Sequence, residues 1–189
     1  MHLDGSRWSN KQGTIGEIRT GPSGLLNIIE GQLGLTKPSV HPAIRISEYM
    51  DRISEINHES MWFHSSFIAD PWSTSKQLLS WRDELVEAGL SRQMCLQGSP
   101  RLKCLNSLEK SDLPLSEGRP ERLHKIINSL KKNMGLHISS IYLIEPLAML
   151  PLTWQNLFHL LANNGIAIID YNETSSHPTR RLNTNTNSP

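Results

Sequence analysis

Apolar residues recur along this chain in two rhythms, and the switch between them predicts most of its elements. Thr14–Thr20 reads as a short strand running into the turn Gly21-Pro22-Ser23-Gly24. Leu25, Ile28, Ile29 and Leu33 then return at helical spacing, and Gly34 suits the end of that helix. Beyond a turn at Thr36–Ser39, the stripe Ile44, Ile46, Tyr49, Met50, Ile53 and Ile56 predicts a second helix over His41–Ile56. His58–Ala69 concentrates Met61, Trp62, Phe63 and Phe67, which call for burial against a neighbour. The strongest helix signal is DPWSTSKQLLSWRDELVEAG. Asp70 can cap, Pro71 suits the first helical position, and Gly89 the position just past the end. Leu78, Leu79, Trp81, Leu85 and Val86 give it an apolar face, and Arg82 and Asp83 are expected to pair locally or with a neighbouring helix. Arg101–Lys110, and Glu121 to about Lys132, predict two further helices on either side of a proline-punctuated loop.

The rhythm then shortens. Ser140–Ile144 and Ile166–Ile169 are continuous apolar runs, as in parallel strands buried on both faces. Between them Trp154, Leu157, Phe158, Leu160 and Leu161 make Thr153–Asn163 a core-facing helix, so the three form a βαβ unit. The expected fold is a helix-rich α/β domain over 14–171 with a small parallel sheet and a large helical insertion at about 36–135. Residues 1–13 are an irregular segment. Residues 172–189, rich in Asn, Thr, Ser and Pro, predict a disordered tail.

Composition narrows the classes. With 189 residues, one domain burying roughly 70% of its unfolded surface is expected. Hydrophobic content is 37% and mean hydropathy −0.38, and no apolar run reaches the ~18–20 residues of a membrane span. The N-terminus carries no hydrophobic signal segment, so a cytoplasmic location is expected. Cys95 and Cys104 lack a second pair, against a zinc site. Both read as small buried hydrophobes. Lys plus Arg number 19 against 18 Asp plus Glu, so no global positive field advertises nucleic acid.

The motifs exclude more chemistry than they supply. A working phosphate loop reads G-x-x-x-x-G-K-[ST], its lysine reaching the β and γ oxygens and its hydroxyl holding Mg²⁺. Here Leu25-Leu26 follows Gly24, so the lysine and the hydroxyl are missing. Gly21, Pro22, Ser23 and Gly24 describe a degenerate nucleotide loop without phosphoryl-transfer chemistry. Glu145, after a predicted strand, stands where a Walker B acid would, but Asp170 ends the other strand in the same way. None of the eight histidines has metal-site spacing, and no G-x-S-x-G elbow is present. No catalytic residue, metal or cofactor is expected. Arg119, Arg122, Lys125, Lys131 and Lys132 fall within one fourteen-residue stretch. Such a run is usually a solvated face. Its functional alternative is a strip of DNA backbone-phosphate contacts, with Arg119, Arg122 and Lys125 as the candidates.

The succession LDG, GPSGLLNIIEGQLGL, RISEY, FHSSFIADPWSTSKQLLSWRDELVEAGL, GRPERLHKIINSL and IYLIEPLAMLPLTWQNLFHLLANNGIAI resembles the N-terminal region of bacterial AddB-like helicase–nuclease proteins. These belong to the RecB-family, PD-(D/E)XK nucleases. The likeness covers about residues 3 to 171, and the DPW…LL.WRDELV.AG block is its most specific part. It implies a helicase-like first domain of P-loop NTPase fold with a decayed ATP site, in which Gly21–Gly24 stand at the Walker A turn and Ile141–Glu145 at the Walker B strand. The family's nuclease residues have no counterpart here, so the chain is expected to be a truncated, non-catalytic piece. It would scaffold and contact DNA in repair, recombination or defence, with the remainder of such a protein or its partner subunit as a further partner. The alternative is a protein-interaction or structural domain without a nucleic-acid role, its partner surface formed by Trp62-Phe63 and Trp72.

Overall fold

The computed structural model describes residues 16–38, 40–90, 98–132 and 135–170. The irregular N-terminal segment, Cys95 and the expected tail lie outside them. Seven α-helices and two strands are present among the described residues: α1 Pro22–Leu33, α2 Pro42–Ile56, α3 His64–Ala69, α4 Pro71–Glu87, α5 Pro100–Glu109, α6 Arg119–Leu130, β1 Ser140–Leu143, α7 Leu152–Asn163 and β2 Ala167–Asp170. A 3₁₀ turn at Leu147–Met149 precedes α7. The molecule is a helix-rich α/β protein with a small parallel sheet.

Local chemistry places the helix ends. α1, α2, α4 and α5 each begin on a proline, whose fixed φ and missing N–H suit the first turn. Asp70 Oδ1 accepts from the Ser73 amide at 3.0 Å, and Ser99 Oγ from the Leu102 amide at 3.4 Å. α4 closes with Gly89 at φ 91°. The Leu90 amide donates to the Leu85 carbonyl at 2.9 Å and the Gly89 amide to that of Val86 at 3.1 Å, the left-handed ending that favours glycine. The helix expected from Asp70 to Gly89 is therefore formed as its end residues predict.

β1 and β2 pair in parallel, Ile141 opposite Ile168 and Leu143 opposite Asp170, with α7 as the crossover. This is the βαβ unit of the sequence pattern. Its strands are not buried on both faces, however. Leu143 is 8% exposed, whereas Tyr142 is 60% exposed and Ile144, just past β1, 71%. Ile141 and Ile168 pack toward the core with Leu143, so helices cover one side of the pleat and the other faces solvent. The expected strand at Thr14–Thr20 is also not formed over its described part. Residues 16–20 are irregular and exposed. A strand needs a neighbour in register, and among the described residues β1 pairs with β2 alone. Thr14 and Ile15 lie outside the described residues.

Two separate apolar cores form. The first joins Leu26, Ile29 and Leu33 of α1, Leu123, Ile126, Ile127 and Leu130 of α6, Trp154, Leu157, Phe158 and Leu161 of α7, and Leu143 and Ile166 beside the sheet. The second joins Tyr49 and Ile53 of α2, Phe63, Phe67 of α3, Leu78 and Leu79 of α4, and Cys104, Leu105 and Leu108 of α5. Each fully buried aliphatic side chain contributes about 1.5–3 kcal/mol. The buried face of α1 is turned from the expected one: Leu26 takes the centre and Leu25 and Ile28 flank it, because α1 packs on α6. α6 belongs to the first core, so the helices that build the second core are α2–α5.

Candidate functional site

Gly21 is the N-cap of α1, and Pro22, Ser23 and Gly24 already lie in the helix. The Leu25 amide donates to the Gly21 carbonyl at 3.0 Å. What the sequence presents as a loop is thus the first turn of α1, with a bare helix N-terminus in place of a phosphate-wrapping loop. Gly24 has a packing reason. A Cβ there would lie 1.8 Å from Thr20 Oγ1, so Thr20 folds back over the turn only because that position carries no side chain. Glu145 sits in a bend after β1 and is half-buried. Asp170 has a defined structural role: its Oδ1 accepts from the Leu147 amide at 3.1 Å, holding the turn after β1 against the end of β2.

The three candidate phosphate contacts all hold carboxylates. Arg119 Nε donates to Glu87 Oε1 at 2.5 Å. Arg122 Nε donates to Glu30 Oε1 at 2.8 Å, and its Nη2 to Glu30 Oε2 and Asn27 Oδ1, both at 2.6 Å. Lys125 pairs with Glu117, which Lys37 also reaches at 3.2 Å. The hydrogen bond Arg122 donates to Glu30, with the Glu30 charge, raises the Arg122 pKa against the burial that lowers it. The bond from Lys125 leads in holding the Glu117 carboxyl below its ordinary range. A phosphate at this strip would have to displace carboxylates already in place.

The densest polar structure lies elsewhere, where α2, α4, α5 and α6 converge. Arg45 donates to Asp83 through Nη1 and Nη2, to Glu121 Oε2 at 3.1 Å and to the Ser116 carbonyl at 2.9 Å. Arg82 grips Glu109 at 3.0 and 2.9 Å, touches Asp83 at 3.0 Å and pairs with Glu121. The expected pairing of Arg82 and Asp83, local and with neighbouring helices, is present. Burial pushes the Glu121 pKa up, but the charges and hydrogen bonds of Arg82 and Arg45 outweigh it and hold the carboxyl low. Glu121 Oε2 also accepts from the Gly118 amide at 2.7 Å, satisfying the start of α6. Beside this network the Tyr49 hydroxyl is buried without a hydrogen-bond partner, and burial and Glu109 raise its pKa.

Arg45, Glu109, Glu121 and Glu30 escaped the sequence reading, though one signal was present. Arg45 shares the buried stripe of α2 with Tyr49 and Ile53, and Glu30 shares that of α1 with Leu26 and Leu33. A charge on an apolar stripe needs a partner. The partners are 38 to 92 residues away in Arg45–Asp83, Arg45–Glu121 and Arg122–Glu30.

At the surface, Trp62 stacks on Trp81 with centroids 6.1 Å apart and planes at 23°. The Arg101 guanidinium lies 5.0 Å from the centre of the Trp62 ring. The two indoles are 38% and 41% exposed. Phe63 meets Trp62 edge-on and is itself buried. Beneath them Cys104 approaches the Met61 sulfur at 3.5 Å, and burial raises its thiol pKa. His64 and His58 serve local structure: His64 Nδ1 lies 3.1 Å from Asn57 Oδ1, and His58 Nδ1 2.9 Å from Ser60 Oγ. Among the described residues, no group of three or more His, Cys, Asp or Glu could hold a metal ion, and no helix is long and apolar enough to cross a membrane. Comparison with protein-family models, with curated proteins and with solved structures finds no match to this chain.

Proposed function

We propose that this chain is a non-catalytic module that acts by docking to another protein, with the Trp62–Trp81 face as its contact surface. The observation that carries this is the pair of half-exposed stacked indoles next to Arg101. Large aromatic residues and arginine are the side chains that dominate protein–protein contact energy, and a stacked pair is already ordered before a partner arrives. The charged groups support the same reading from the other direction, because they are consumed in pairing one element with another.

The second reading is the helicase-like, degenerate P-loop NTPase module that contacts DNA backbone within a helicase–nuclease. The parallel βαβ unit, with Glu145 just beyond β1, favours it. It requires Arg119, Arg122 and Lys125 to exchange Glu87, Glu30 and Glu117 for phosphate.

One experiment separates the two. A photo-crosslinking amino acid is placed at Trp81 and, as control, at exposed Lys132, and the full chain is irradiated in cells. Labelled single- and double-stranded DNA are titrated against the unmodified chain at about 50 and about 200 mM salt. Docking predicts a discrete protein adduct from position 81 alone. No adduct, together with DNA binding that falls steeply with salt, replaces the first reading by the second.

A further inference from the structure

The two apolar cores share no residue, and the chain passes between them twice. It leaves the first core after Leu35, which still packs there beyond the turn at Gly34 with φ 66°. It returns at Gly118 into α6. The outgoing and returning segments are clamped together by Lys37 and Glu117 at 3.2 Å, so α2–α5 are an insertion whose two ends meet at one point. The returning loop is fastened to the insertion itself. Glu48 accepts from the Ser116 amide at 2.6 Å and from its hydroxyl at 2.7 Å, and Arg52 Nε donates to the Leu113 carbonyl at 2.9 Å.

Beside Leu152, which packs against Gly89, a run of polar contacts holds the insertion onto the α/β body. Near the hinge, Glu121 meets Arg45 and Arg82. At the C-terminal end of α4, Glu87 accepts from Arg119 at 2.5 Å and from the Trp154 indole N–H at 3.1 Å. Thr153 Oγ1 donates to the Val86 carbonyl at 3.2 Å. Interfaces of this polar kind between units with their own cores permit relative motion, whereas large apolar ones do not. Ion pairs also lose little when both partners become solvated together, since hydration offsets the attraction given up.

We propose that α2–α5 move as one body against the α1–α6–α7–sheet body, hinged near Lys37 and Gly118 and latched by Glu87 on Arg119 and Trp154. Opening separates Glu87 from Trp154 and Arg119 while both cores stay intact. The latch is conditional because Arg119 lies at the surface, with 44% of its side chain exposed, while the Glu87 side chain is 4% exposed. Removing the arginine leaves a buried carboxylate with the indole as its only remaining partner of the two, and solvation by opening then becomes the cheaper state.

The test is native-state hydrogen exchange on the full chain, comparing wild type, Arg119→Gln and Arg119→Gln/Glu87→Gln. In the single variant the Trp154 indole N–H, which donates to Glu87 across the seam at 3.1 Å, is expected to exchange at least about tenfold faster. The interior amides of Leu79 and Leu108 in the insertion, and of Ile29 and Leu157 in the body, keep their wild-type rates. The double variant, which also removes the stranded charge, returns the seam most of the way. Equal acceleration of seam and interiors, or no acceleration, overturns the proposal. If the single variant fails to fold, denaturant dependence of exchange in the wild type decides. A Trp154 indole N–H that opens with a smaller denaturant slope than the interiors supports the hinge, and one shared slope overturns it.

Discussion

Arg45 holds Asp83 by both carboxylate oxygens, at 2.5 and 2.9 Å, across 38 residues of sequence. The same guanidinium reaches Glu121 and the Ser116 carbonyl, so one side chain joins α2, α4, the returning loop and α6. Only a planar five-donor fork can serve these acceptors at once. Arg45→Ala is expected to destabilise the protein by about 3 kcal/mol, the usual cost of breaking a buried charged pair. Arg45→Lys should recover less than half of that, because one ammonium cannot span the set. Urea unfolding measures both. A lysine variant as stable as wild type would show that charge alone, without the fork, suffices.

Gly118 owes its identity to this guanidinium. A Cβ there would lie 2.3 Å from Arg45 Cζ and 2.6 Å from Nη2. The arginine is the far end of a long side chain, but its four acceptors hold it in place. Gly118→Ala is therefore expected to cost about 1–3 kcal/mol by overpacking. Combined with Arg45→Ala it should cost almost nothing further, since the clash has gone. Full additivity of the two substitutions in urea melts would place the strain elsewhere.

Elements governed by near neighbours were legible, and those governed by distant ones were not. The helix from Pro71 was readable because Asp70, Pro71 and Gly89 write its ends locally. The βαβ unit was readable because two apolar runs flank a helix of the right length. The face of α1 was misjudged because which residue is central depends on α6, about 90 positions on (Arg122 to Glu30 spans 92 residues). The strand expected at Thr14–Thr20 had local β character, yet strands are made by neighbours, and residues 16–20 gain none. The same nonlocality hid the ionic network. Arg119, Arg122 and Lys125 look like a free basic strip in sequence, while their carboxylates come from Glu87, Glu30 and Glu117 on other segments.

Glu121 should contribute to the acid limb of the stability curve. Burial raises its pKa, and Arg82 and Arg45 more than reverse that, so the folded value lies below the unfolded value of 4.5. A depressed carboxyl contributes stability that is fully present above the unfolded value and is lost as pH falls through the lower folded one. Urea midpoints should hence fall from about pH 4.5 downward. Glu121→Gln is expected to be less stable at pH 7 and to show a flatter decline over that acid window. A decline as steep as that of wild type would assign the acid sensitivity to other carboxyls.

The Tyr49 hydroxyl is fully buried and has no hydrogen-bond partner. An unpaired buried polar group costs about 1–3 kcal/mol of desolvation, while the ring itself fills the second core. Tyr49→Phe keeps the ring and removes the penalty, so it should raise stability by about 1 kcal/mol in urea unfolding. Loss of stability would mean that the hydroxyl has a partner in solution, such as an internal water.

Arg122 gives the sharpest division between structure and DNA contact. It meets Glu30 through two nitrogens at 2.8 and 2.6 Å, and Glu30 is only 9% exposed. Were this arginine a phosphate contact, Arg122→Ala would lower the salt dependence of DNA binding by about one unit of slope and leave folding nearly unchanged. The pairing instead predicts that Arg122→Ala costs about 2–3 kcal/mol by stranding a buried carboxylate. It also predicts no change in the salt dependence of any DNA binding. Glu30→Gln in the same chain should restore part of the stability, since the stranded charge is then gone. A slope that falls by one while the urea midpoint holds would transfer Arg122 from the core's ionic framework to the DNA surface.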